Sequence, residues 1–266
     1  MTPEQVEEAA ETLYQADLTG EQCGLLSLRY PGMTMDDAYA VQKALVARRM
    51  AAGRRRIGWK IGLTSRAMQD ALKIDTPDSG VLLDDMLFAN GGEVEKGRFI
   101  QPRIEAEIAF VMKAQLAGAE CSRADVLAAT DYVTPSLEIL DTRILRADPE
   151  SGKARIITDT ISDNAANAGL VLGAERHGVD DFDLRWVGAI VTRNGTVEET
   201  GLGAGVLNDP VTSVLWLARR MADYGQTIEA GDIVLSGSFI RPIEAVPGSD
   251  IAADFGPFGS VTISFA

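Results

Sequence analysis

The sequence predicts an α+β fold, with a small helical N-terminal region in residues 1–55 and a β-rich body in residues 56–266 that forms a single compact unit. Two observations predict this class. Before Gly53, apolar residues recur at the three- and four-residue spacing of amphipathic helices. After Gly53, glycines become frequent, and short strand-like runs are separated by turns rich in Gly and Asp. No internal repeat interrupts the pattern, which therefore favours one α+β chain.

Two helices are predicted in the N-terminal region. The first begins at residues 2–4 (Thr-Pro-Glu), which combine an N-cap, a proline in the first turn and an early acid. The second begins at Thr34, where Asp37 has the spacing of a capping box with Asp in place of the usual Glu or Gln. It ends at residues 51–53 (Ala-Ala-Gly), because glycine commonly follows the last turn of a helix.

Strands dominate the predicted body. They are short apolar or alternating runs bounded by turn residues, at positions 56–63, 103–112, 136–140, 186–193, 233–235 and 260–265. A helix is predicted at 122–130, where a serine supplies the cap, and another at 210–224, which carries an apolar stripe. The Asn194-Gly195 pair after the fourth strand is typical of a tight β-hairpin.

The composition excludes several classes of function. Lys and Arg number 25 against 39 Asp and Glu, and the resulting charge of −14 argues against nucleic-acid partners. One histidine and two cysteines are too few for His-rich or four-thiolate metal sites. Because the N-terminus lacks an apolar signal region and no run is long enough for a membrane helix, we expect no membrane partner and a cytoplasmic protein with reduced thiols.

Carboxylates are the most informative side chains of the body. In the strand predicted at 103–112, Glu105 and Glu107 lie on one face, since side chains alternate every two residues. An isolated Glu-x-Glu pair is most often a solvated face. Glu138, however, stands among apolar residues of the strand predicted at 136–140, and a charged residue in a core strand rarely lacks a partner.

Convergence of Glu105, Glu107 and Glu138 would require a compensating charge. At about 5 Å and an effective dielectric constant of about 20, each pair of carboxylates repels by roughly 3 kcal/mol. Three such pairs approach the stability of a whole domain, so the group must bind a cation or take up protons. Oxygen donors with no His or Cys nearby in sequence favour a hard cation, and we predict Mg²⁺ or Mn²⁺.

Lys60 is the next candidate for a functional side chain. It stands between Gly58 and Gly62 in an apolar run, which fits either an exposed lysine on an edge strand or a lysine held near a ligand. In the second case, partial burial can lower its pKa and suit it to proton transfer or to anchoring a carboxylate. Residues 75–80 (Asp-Thr-Pro-Asp-Ser-Gly) are predicted as a turn, whose acids either shape it or serve the site.

Three further features remain ambiguous from the residues alone. Residues 162–169 set polar side chains among small ones, which suits a pocket wall or a capped helix start. Residues 236–239 (Ser-Gly-Ser-Phe) follow a strand and offer amides and hydroxyls to an anion. His177 lies in a polar stretch, is predicted at the surface, and is accompanied by no Gly-x-Ser-x-Gly motif.

Together these segments resemble one family over nearly the whole chain, the hydratase/decarboxylase branch of the fumarylacetoacetate hydrolase superfamily. The motifs that carry the resemblance follow the family's order, at residues 58–65 (GWKIGLTS), 75–78 (DTPD), 103–107 (RIEAE), 159–167 (DTISDNAAN) and 236–239 (SGSF). The resemblance implies a mixed β-roll body with flanking helices. It also implies a divalent-metal lyase, usually with Mg²⁺, that assembles as a homo-oligomer.

The resemblance assigns roles to individual positions. It implies metal ligation by Glu105, Glu107 and Glu138. It implies active-site roles for Lys60 and Asp78. It implies substrate binding by Ser162, Asp163, Asn164, Gly237 and Ser238. One position departs from the pattern, because Trp59 stands where a smaller or more polar residue is expected.

The implied substrate is a small unsaturated 2-oxo dicarboxylate. Lys60 and Asp78 are expected to transfer protons or to position water. The distal carboxylate should need a cation, and Arg66 and Arg241 are predicted candidates because both flank matched motifs.

Hydration to a 4-hydroxy-2-oxo acid is the favoured reaction, with loss of CO₂ from a related substrate as the alternative within the family. A non-catalytic subunit would have no need to keep Lys60 and three acids together. C–C hydrolysis would want a water-activating histidine, whereas His177 lies outside every matched motif.

Overall fold

The computed structural model describes residues 1–66, 69, 70, 74 and 76–266. In the N-terminal region, the helices are α1 (Pro3–Thr19), α2 (Leu26–Arg29) and α3 (Met35–Ala51). The predicted N-cap at Thr2 and the predicted capping box at Thr34 are both present, since the two side chains accept hydrogen bonds from the third residue of α1 and α3. The two predicted helices are thereby confirmed, whereas α2 is too short to show an apolar period.

The helical region has its own apolar cluster. It is built mainly from the buried faces of α1 and α3, closed by α2, and reaches one residue of the body, Ile144. Its buried members are Ala9, Ala10, Leu13, Leu25, Leu26, Tyr30, Val41, Leu45 and Ile144. Gln42 of α3 donates to the carbonyl oxygens of Ser79 and Ile161, at 2.8 and 3.0 Å, which ties the helix to the body.

Strands form most of the body, as predicted. Their bounds are β1 (Arg56–Gly62), β2 (Asp78–Leu83), β3 (Leu87–Phe88), β4 (Gly92–Val94), β5 (Arg103–Met112), β6 (Thr130–Leu140), β7 (Asn167–Leu172), β8 (Gly188–Arg193), β9 (Thr196–Leu202), β10 (Ile233–Leu235), β11 (Ile243–Glu244), β12 (Asp250–Asp254) and β13 (Ser260–Phe265). The remaining helices are α4 (Arg123–Ala129), α5 (Ile157–Ser162) and α6 (Pro210–Ala222).

The larger sheet of the described chain is mixed and curled. Its order is β2-β1-β10-β5-β6-β7-β3, and β11 also pairs with β5. The pairs β1–β10 and β3–β7 are parallel, and the other pairs are antiparallel. A Cβ on Gly80 of β2 would lie 2.6 Å from the carbonyl oxygen of Asn164, just before β7. The sheet therefore rolls until β2 approaches the β7 end, which agrees with the expected mixed β roll.

The smaller sheet has the order β4-β13-β12-β8-β9. Its β8–β9 hairpin turns at Asn194 and Gly195, whose φ angles are 52° and 78°. Two successive positive φ angles are what a tight hairpin turn requires, so the predicted hairpin is confirmed. A continuous apolar cluster joins this sheet to the larger one and to the buried faces of α4 and α6.

Several boundaries differ from the sequence-based expectation. The strand expected at 136–140 begins at Thr130, because the whole of β6 pairs with β5. The strand expected at 186–193 begins at Gly188. Residues 78–80, predicted within a turn, open β2 because Lys60 pairs with Gly80 and Gly62 with Asp78. Asp75, in the same predicted turn, lies outside the described residues.

Among the residues described, no helix is long and apolar enough to cross a membrane.

Candidate active site

Two neighbouring strands bring the three predicted glutamates together. In the antiparallel register of β5 and β6, Glu105 lies opposite Glu138, and Glu107 lies opposite Ser136. All three side chains therefore share one face, and a carboxylate oxygen from each lies within 4.8 Å of the others. Glu107 and Glu138 are fully buried, and Glu105 is partly exposed. The convergence predicted from the alternation of β5 is present.

The buried carboxylates are only partly satisfied by hydrogen bonds. Oε2 of Glu107 accepts from the backbone N–H of Gly237 at 2.7 Å, and Oε1 of Glu138 accepts from Nδ2 of Asn167 at 2.7 Å. Oε1 of Glu107 and Oε2 of Glu138 have no hydrogen-bond partner among the described residues. A buried carboxylate oxygen without a partner is costly, so these atoms indicate a site for a ligand.

The electrostatics of the cluster agree with that interpretation. Burial and the charge of Glu138 raise the pKa of Glu105 to about 8. Burial and the charges of Glu138 and Glu105 raise the pKa of Glu107 well above its ordinary value. Either protons or a cation must therefore neutralise the group at neutral pH. Three oxygen donors fit a hard divalent cation, which takes carboxylate ligands and completes its shell with water.

Lys60 lies beside the cluster and is buried. Its Nζ atom is 3.4 Å from Oε1 of Glu138 and donates to the carbonyl oxygen of Ala165 at 3.1 Å. Burial lowers the pKa of Lys60, but the charges of Glu138 and Asp78 outweigh burial and raise it above its ordinary value. The expected lowered pKa is therefore wrong for this carboxylate-rich environment, and so is the alternative of an exposed edge lysine.

Asp78, the first residue of β2, completes the group of charges. It is 2% exposed, its Oδ1 atom has no hydrogen-bond partner among the described residues, and burial raises its pKa. A Cβ on Gly62 would lie 2.3 Å from this Oδ1 and 3.0 Å from Nζ of Lys60. The glycine therefore leaves the space in which the two side chains meet.

Trp59 does not enter this group. Its neighbour Lys60 points to one face of β1, so the indole points to the other face. There Nε1 donates to Oδ2 of Asp232 at 3.3 Å, and the guanidinium of Arg56 lies over the ring. The departure from the family pattern at this position therefore changes packing behind the strand.

The segment 162–164, predicted to bind substrate, is engaged by the protein itself. Oγ of Ser162 donates to the carbonyl oxygen of Thr158, and Asp163 forms a buried ion pair with Arg143. The side-chain amide of Asn164 accepts from the N–H of Val81 and donates to its carbonyl oxygen, at 2.8 and 2.9 Å. These contacts extend the edge of β2, and a role in substrate binding stays a prediction.

A left-handed turn follows Asp163, and no sequence signal indicated it. Asn164, Ala165 and Ala166 have φ angles of 52°, 53° and 57°. Such angles are unfavourable for residues other than glycine, least so for Asn. The turn directs the carbonyl oxygen of Ala165 to Lys60 and is followed by Asn167, which binds Glu138. It therefore fixes two members of the charged group.

The loop after β10 brings Gly237 to the cluster. The N–H groups of Ser236 and Phe239 donate to carbonyl oxygens of β5 and so continue the sheet. Gly237 has a φ of 114°, and a Cβ there would lie 2.3 Å from Oγ1 of Thr64. Oγ of Ser238 donates to the carbonyl oxygen of Ile240 at 2.9 Å. Gly237 thus contacts a metal-ligand candidate, and substrate binding by either residue stays a prediction.

The two arginines predicted for a distal carboxylate lie at the surface. The side chain of Arg66 is 85% exposed and pairs with Asp70 at 3.3 Å. That of Arg241 is 82% exposed and pairs with Glu199 at 2.5 Å. Salt bridges this exposed hold their partners weakly, and neither arginine contacts the carboxylate cluster in the described chain.

His177 is half-buried rather than fully at the surface. Its Nε2 atom is 2.9 Å from the carbonyl oxygen of Phe258, and its ring packs on Phe182 and Phe258. Among the residues that the structure describes, His177 has no acidic partner of the kind that water activation by histidine would use.

Comparison with known proteins places these features in a family. The chain is 50% identical over 256 residues, 96% of each sequence, to the 2-oxo-hept-4-ene-1,7-dioate hydratase of Escherichia coli. The solved structure of 4-oxalocrotonate decarboxylase from Pseudomonas putida G7, complexed with magnesium and adipate, has a TM-score of 0.94 and 35% identity, covering 100% of this chain and 99% of that one.

A more distant likeness concerns the fold alone. A putative fumarylacetoacetate hydrolase family protein from Yersinia pestis CO92 has a TM-score of 0.57 at 17% identity, over 78% of this chain and 92% of that chain. A comparison with models of protein families finds no match. From the identity to the hydratase and the agreement in fold, the chain belongs to the hydratase/decarboxylase branch of the fumarylacetoacetate hydrolase superfamily.

Proposed function

We propose that the protein hydrates 2-oxo-hept-4-ene-1,7-dioate to 4-hydroxy-2-oxoheptanedioate, as a metal-dependent hydro-lyase of aromatic catabolism in the homoprotocatechuate meta-cleavage pathway. The observation that carries the proposal is the cluster of three carboxylates with unpartnered oxygens beside Lys60 and Asp78. The 50% identity to a hydratase of this substrate supports the choice of reaction.

Glu105, Glu107 and Glu138 would hold the cofactor, Mg²⁺ or Mn²⁺, which suits a set of oxygen donors. When bound, a divalent cation supplies Lewis-acid polarisation of a carbonyl oxygen, the activation that a 2-oxo acid needs. The solved decarboxylase of the same branch binds magnesium. Asn167 and Gly237 orient two of the ligands through the hydrogen bonds described above.

Lys60 and Asp78 carry the proton transfers in this proposal. Nζ of Lys60 has its direction fixed by the carbonyl oxygen of Ala165 and by Glu138, which leaves its remaining N–H free for substrate or water. Oδ1 of Asp78 has no partner among the described residues, and burial raises the pKa of this carboxyl above its ordinary value. An ammonium and a carboxyl side by side can donate and accept protons in turn.

Turnover by the isolated protein tests the function. Purified protein with Mg²⁺ should consume 2-oxo-hept-4-ene-1,7-dioate without releasing CO₂ and form the 4-hydroxy-2-oxo acid. Chelation should abolish this turnover, and Mg²⁺ or Mn²⁺ should restore it. Absence of turnover with metal present would favour a non-catalytic subunit.

The second candidate is decarboxylation of 2-oxo-hex-3-enedioate (4-oxalocrotonate). It is favoured by the likeness to the solved 4-oxalocrotonate decarboxylase, whose fold agrees over the whole chain. The same metal site and the same lysine would serve both reactions. Incubation of the protein with each of the two substrates in turn, with CO₂ as the readout, distinguishes hydration from decarboxylation.

We propose further that the protein is a cytoplasmic homo-oligomer whose subunit is one compact unit of residues 1–55 and 56–266. An exposed apolar surface on the smaller sheet supports assembly, with Trp186 73% exposed beside Ile190 and Leu202. Trp186→Glu should lower the mass measured by sedimentation, whereas an exchange at Lys43, on an exposed face of α3, should not.

A further inference from the structure

Arg155 lies on the segment between Asp148 and α5, which the proposed chemistry leaves without a role. Its backbone N–H donates to the carbonyl oxygen of Arg146 at 3.0 Å. Its Nη1 atom donates to Oγ1 of Thr142 at 2.6 Å. Thr142 is buried and follows closely after β6, the strand that carries Glu138. The guanidinium is thus anchored to the strand of the carboxylate cluster.

The positive charge of Arg155 has no anionic partner within salt-bridge distance among the described residues. The neighbouring guanidinium of Arg143 is paired with Asp163, and that of Arg103 is paired with Glu244. Of the five N–H groups of Arg155, one has an acceptor in the described chain, and that acceptor is a neutral hydroxyl. A half-buried guanidinium in this condition is a ready site for a carboxylate.

The electrostatics show what Arg155 faces. Burial lowers the pKa of Arg155, as do the like charges of Arg143 and Arg103, and together they outweigh the opposing charges of Asp163 and Asp159. Its charge in turn acts to lower the pKa of Asp78, against the larger effect of burial. Thr142, which holds the guanidinium, is followed by Arg143, whose partner Asp163 directly precedes the turn that orients Lys60. An anion bound at Arg155 would raise the lowered pKa of this guanidinium without entering the carboxylate cluster.

We propose that Arg155 binds the distal carboxylate of the substrate and so selects dicarboxylates over monocarboxylates. The inference rests on the proposed function, which gives the substrate a carboxylate at each end. The 2-oxo acid end is the oxygen-donor pair drawn to a hard cation. The distal end would meet strong repulsion at the carboxylate cluster and needs a cation elsewhere.

Three other candidate cations are less suited to this role. Lys60 already has a carboxylate partner in Glu138, and its one remaining N–H serves the proposed proton transfer. Arg66 and Arg241, predicted from sequence, are at least 82% exposed and paired with acids. Arg155 alone among these four combines partial burial with several unused donors, and it replaces the two predicted arginines as the candidate.

Binding of two unreactive analogues tests the proposal without turnover. 2-Oxoheptanedioate carries the distal carboxylate, and 2-oxoheptanoate has a methyl group in its place. Calorimetry with Mg²⁺ present should give about 10- to 100-fold tighter binding of the diacid by the unaltered protein, because hydrogen bonds to a charged group are lost with the monoacid. In Arg155→Met that preference should disappear, with monoacid binding unchanged.

Matched variants separate this effect from loss of structure. Lys153→Met removes an exposed positive charge from the same segment and should keep the full preference. If Arg155→Met does not fold, Arg155→Gln takes its place. This variant keeps a donor to Thr142 and should still lose most of the preference for the diacid. A preference retained in either Arg155 variant would overturn the proposal.

The same measurements distinguish this inference from the proposed function. If the unaltered protein hydrates 2-oxo-hept-4-ene-1,7-dioate and binds both analogues equally, selection by Arg155 is wrong while the hydratase proposal stands. If it binds neither analogue and shows no hydration, the proposed function itself is wrong, and the inference with it.

Discussion

The carboxylate cluster and the Arg143–Asp163 pair are both buried groups of charges, but they are built differently. In the pair, the backbone N–H and Nε of Arg143 donate to the two carboxylate oxygens of Asp163, at 2.8 and 2.5 Å. Nη2 of Arg143 also donates to two carbonyl oxygens. At the cluster, the three glutamates and Asp78 face one ammonium, that of Lys60. Three of their carboxylate oxygens have no partner among the described residues.

The contrast separates two reasons for burying charge. A neutral pair in which both carboxylate oxygens are bonded can hold a turn in place and needs nothing from outside the protein. A group with excess negative charge and unpartnered atoms is stable only when a cation or protons complete it. In this fold the Arg143–Asp163 pair supports the turn at 164–166, and the carboxylate cluster can bind a cation.

Removing one ligand should give the largest separation between the two groups. Glu107→Gln should lower kcat/KM by at least about a thousandfold, because the loss of Lewis-acid activation amounts to several kcal/mol. The same change should raise the melting temperature of the metal-free protein, since glutamine is buried without the proton uptake that the raised pKa of Glu107 implies. Full activity of this variant after exhaustive chelation would contradict the metal site.

Loss of the ammonium should have the next largest effect. Lys60→Met should lower kcat by about 10²- to 10⁴-fold, the usual contribution of a positioned proton-transfer group. Metal affinity should fall much less, because the three glutamates remain. Lys43→Met, on an exposed part of α3, is the matched control and should be kinetically silent. Normal kcat in Lys60→Met would remove the lysine from the chemistry.

Breaking the neutral pair should affect stability in place of chemistry. Asp163→Asn leaves the buried guanidinium of Arg143 without a counter-charge and should lower the free energy of unfolding by about 3–5 kcal/mol. Urea unfolding measures this directly. The protein that remains folded should still bind Mg²⁺ by calorimetry. If metal affinity fell as far as in Glu107→Gln, the distinction between the two groups would be wrong.

The smallest expected effect is a pH dependence of stability that belongs to the cluster. The pKa of Glu105 is raised from 4.5 to about 8 in the folded chain. The folded state therefore holds a proton that the unfolded state releases, and this stabilisation is fully present below pH 4.5 and lost as the pH rises through 8. Calorimetric melting of the metal-free protein should show the decline.

A bound cation should oppose this loss of stability with rising pH, because carboxylate ligands must be deprotonated and metal affinity rises with pH. Saturating Mg²⁺ should therefore flatten the melting profile between pH 5 and 8, a range set by the pKa of Glu105. Glu105→Gln should reduce the decline in metal-free protein. A profile unchanged by this substitution would assign the dependence to other groups.

Local patterns predicted the cluster well. Glu105 and Glu107 share a face because β5 alternates strictly, and Glu138 stood out as a charge among apolar residues. The caps of α1 and α3 depend on residues three apart, which is why both helices were predicted. In each case the informative pattern lies within a few positions of the chain, whereas the meeting of Glu138 with Glu105 depends on the pairing of β5 with β6.

Long-range partners could not be predicted in the same way. Asp163 meets Arg143 across 20 positions with no periodic pattern between them. Asp78 belongs to β2 because β1 pairs with it, although its own sequence favours a turn. Arg155 becomes distinctive only when the chain shows which cations already have partners. The three residues depend on tertiary contacts, which composition and spacing do not encode.

The left-handed turn at Asn164, Ala165 and Ala166 limits how this region can vary by mutation. Backbone angles near +55° are accessible to glycine and asparagine, costly for alanine, and more costly for β-branched residues. Glycine at Ala165 would relieve the strain but loosen the carbonyl oxygen that orients Lys60. Larger residues would strain the backbone further. Selection for stability and selection for activity therefore oppose each other at this position, which narrows its evolvability.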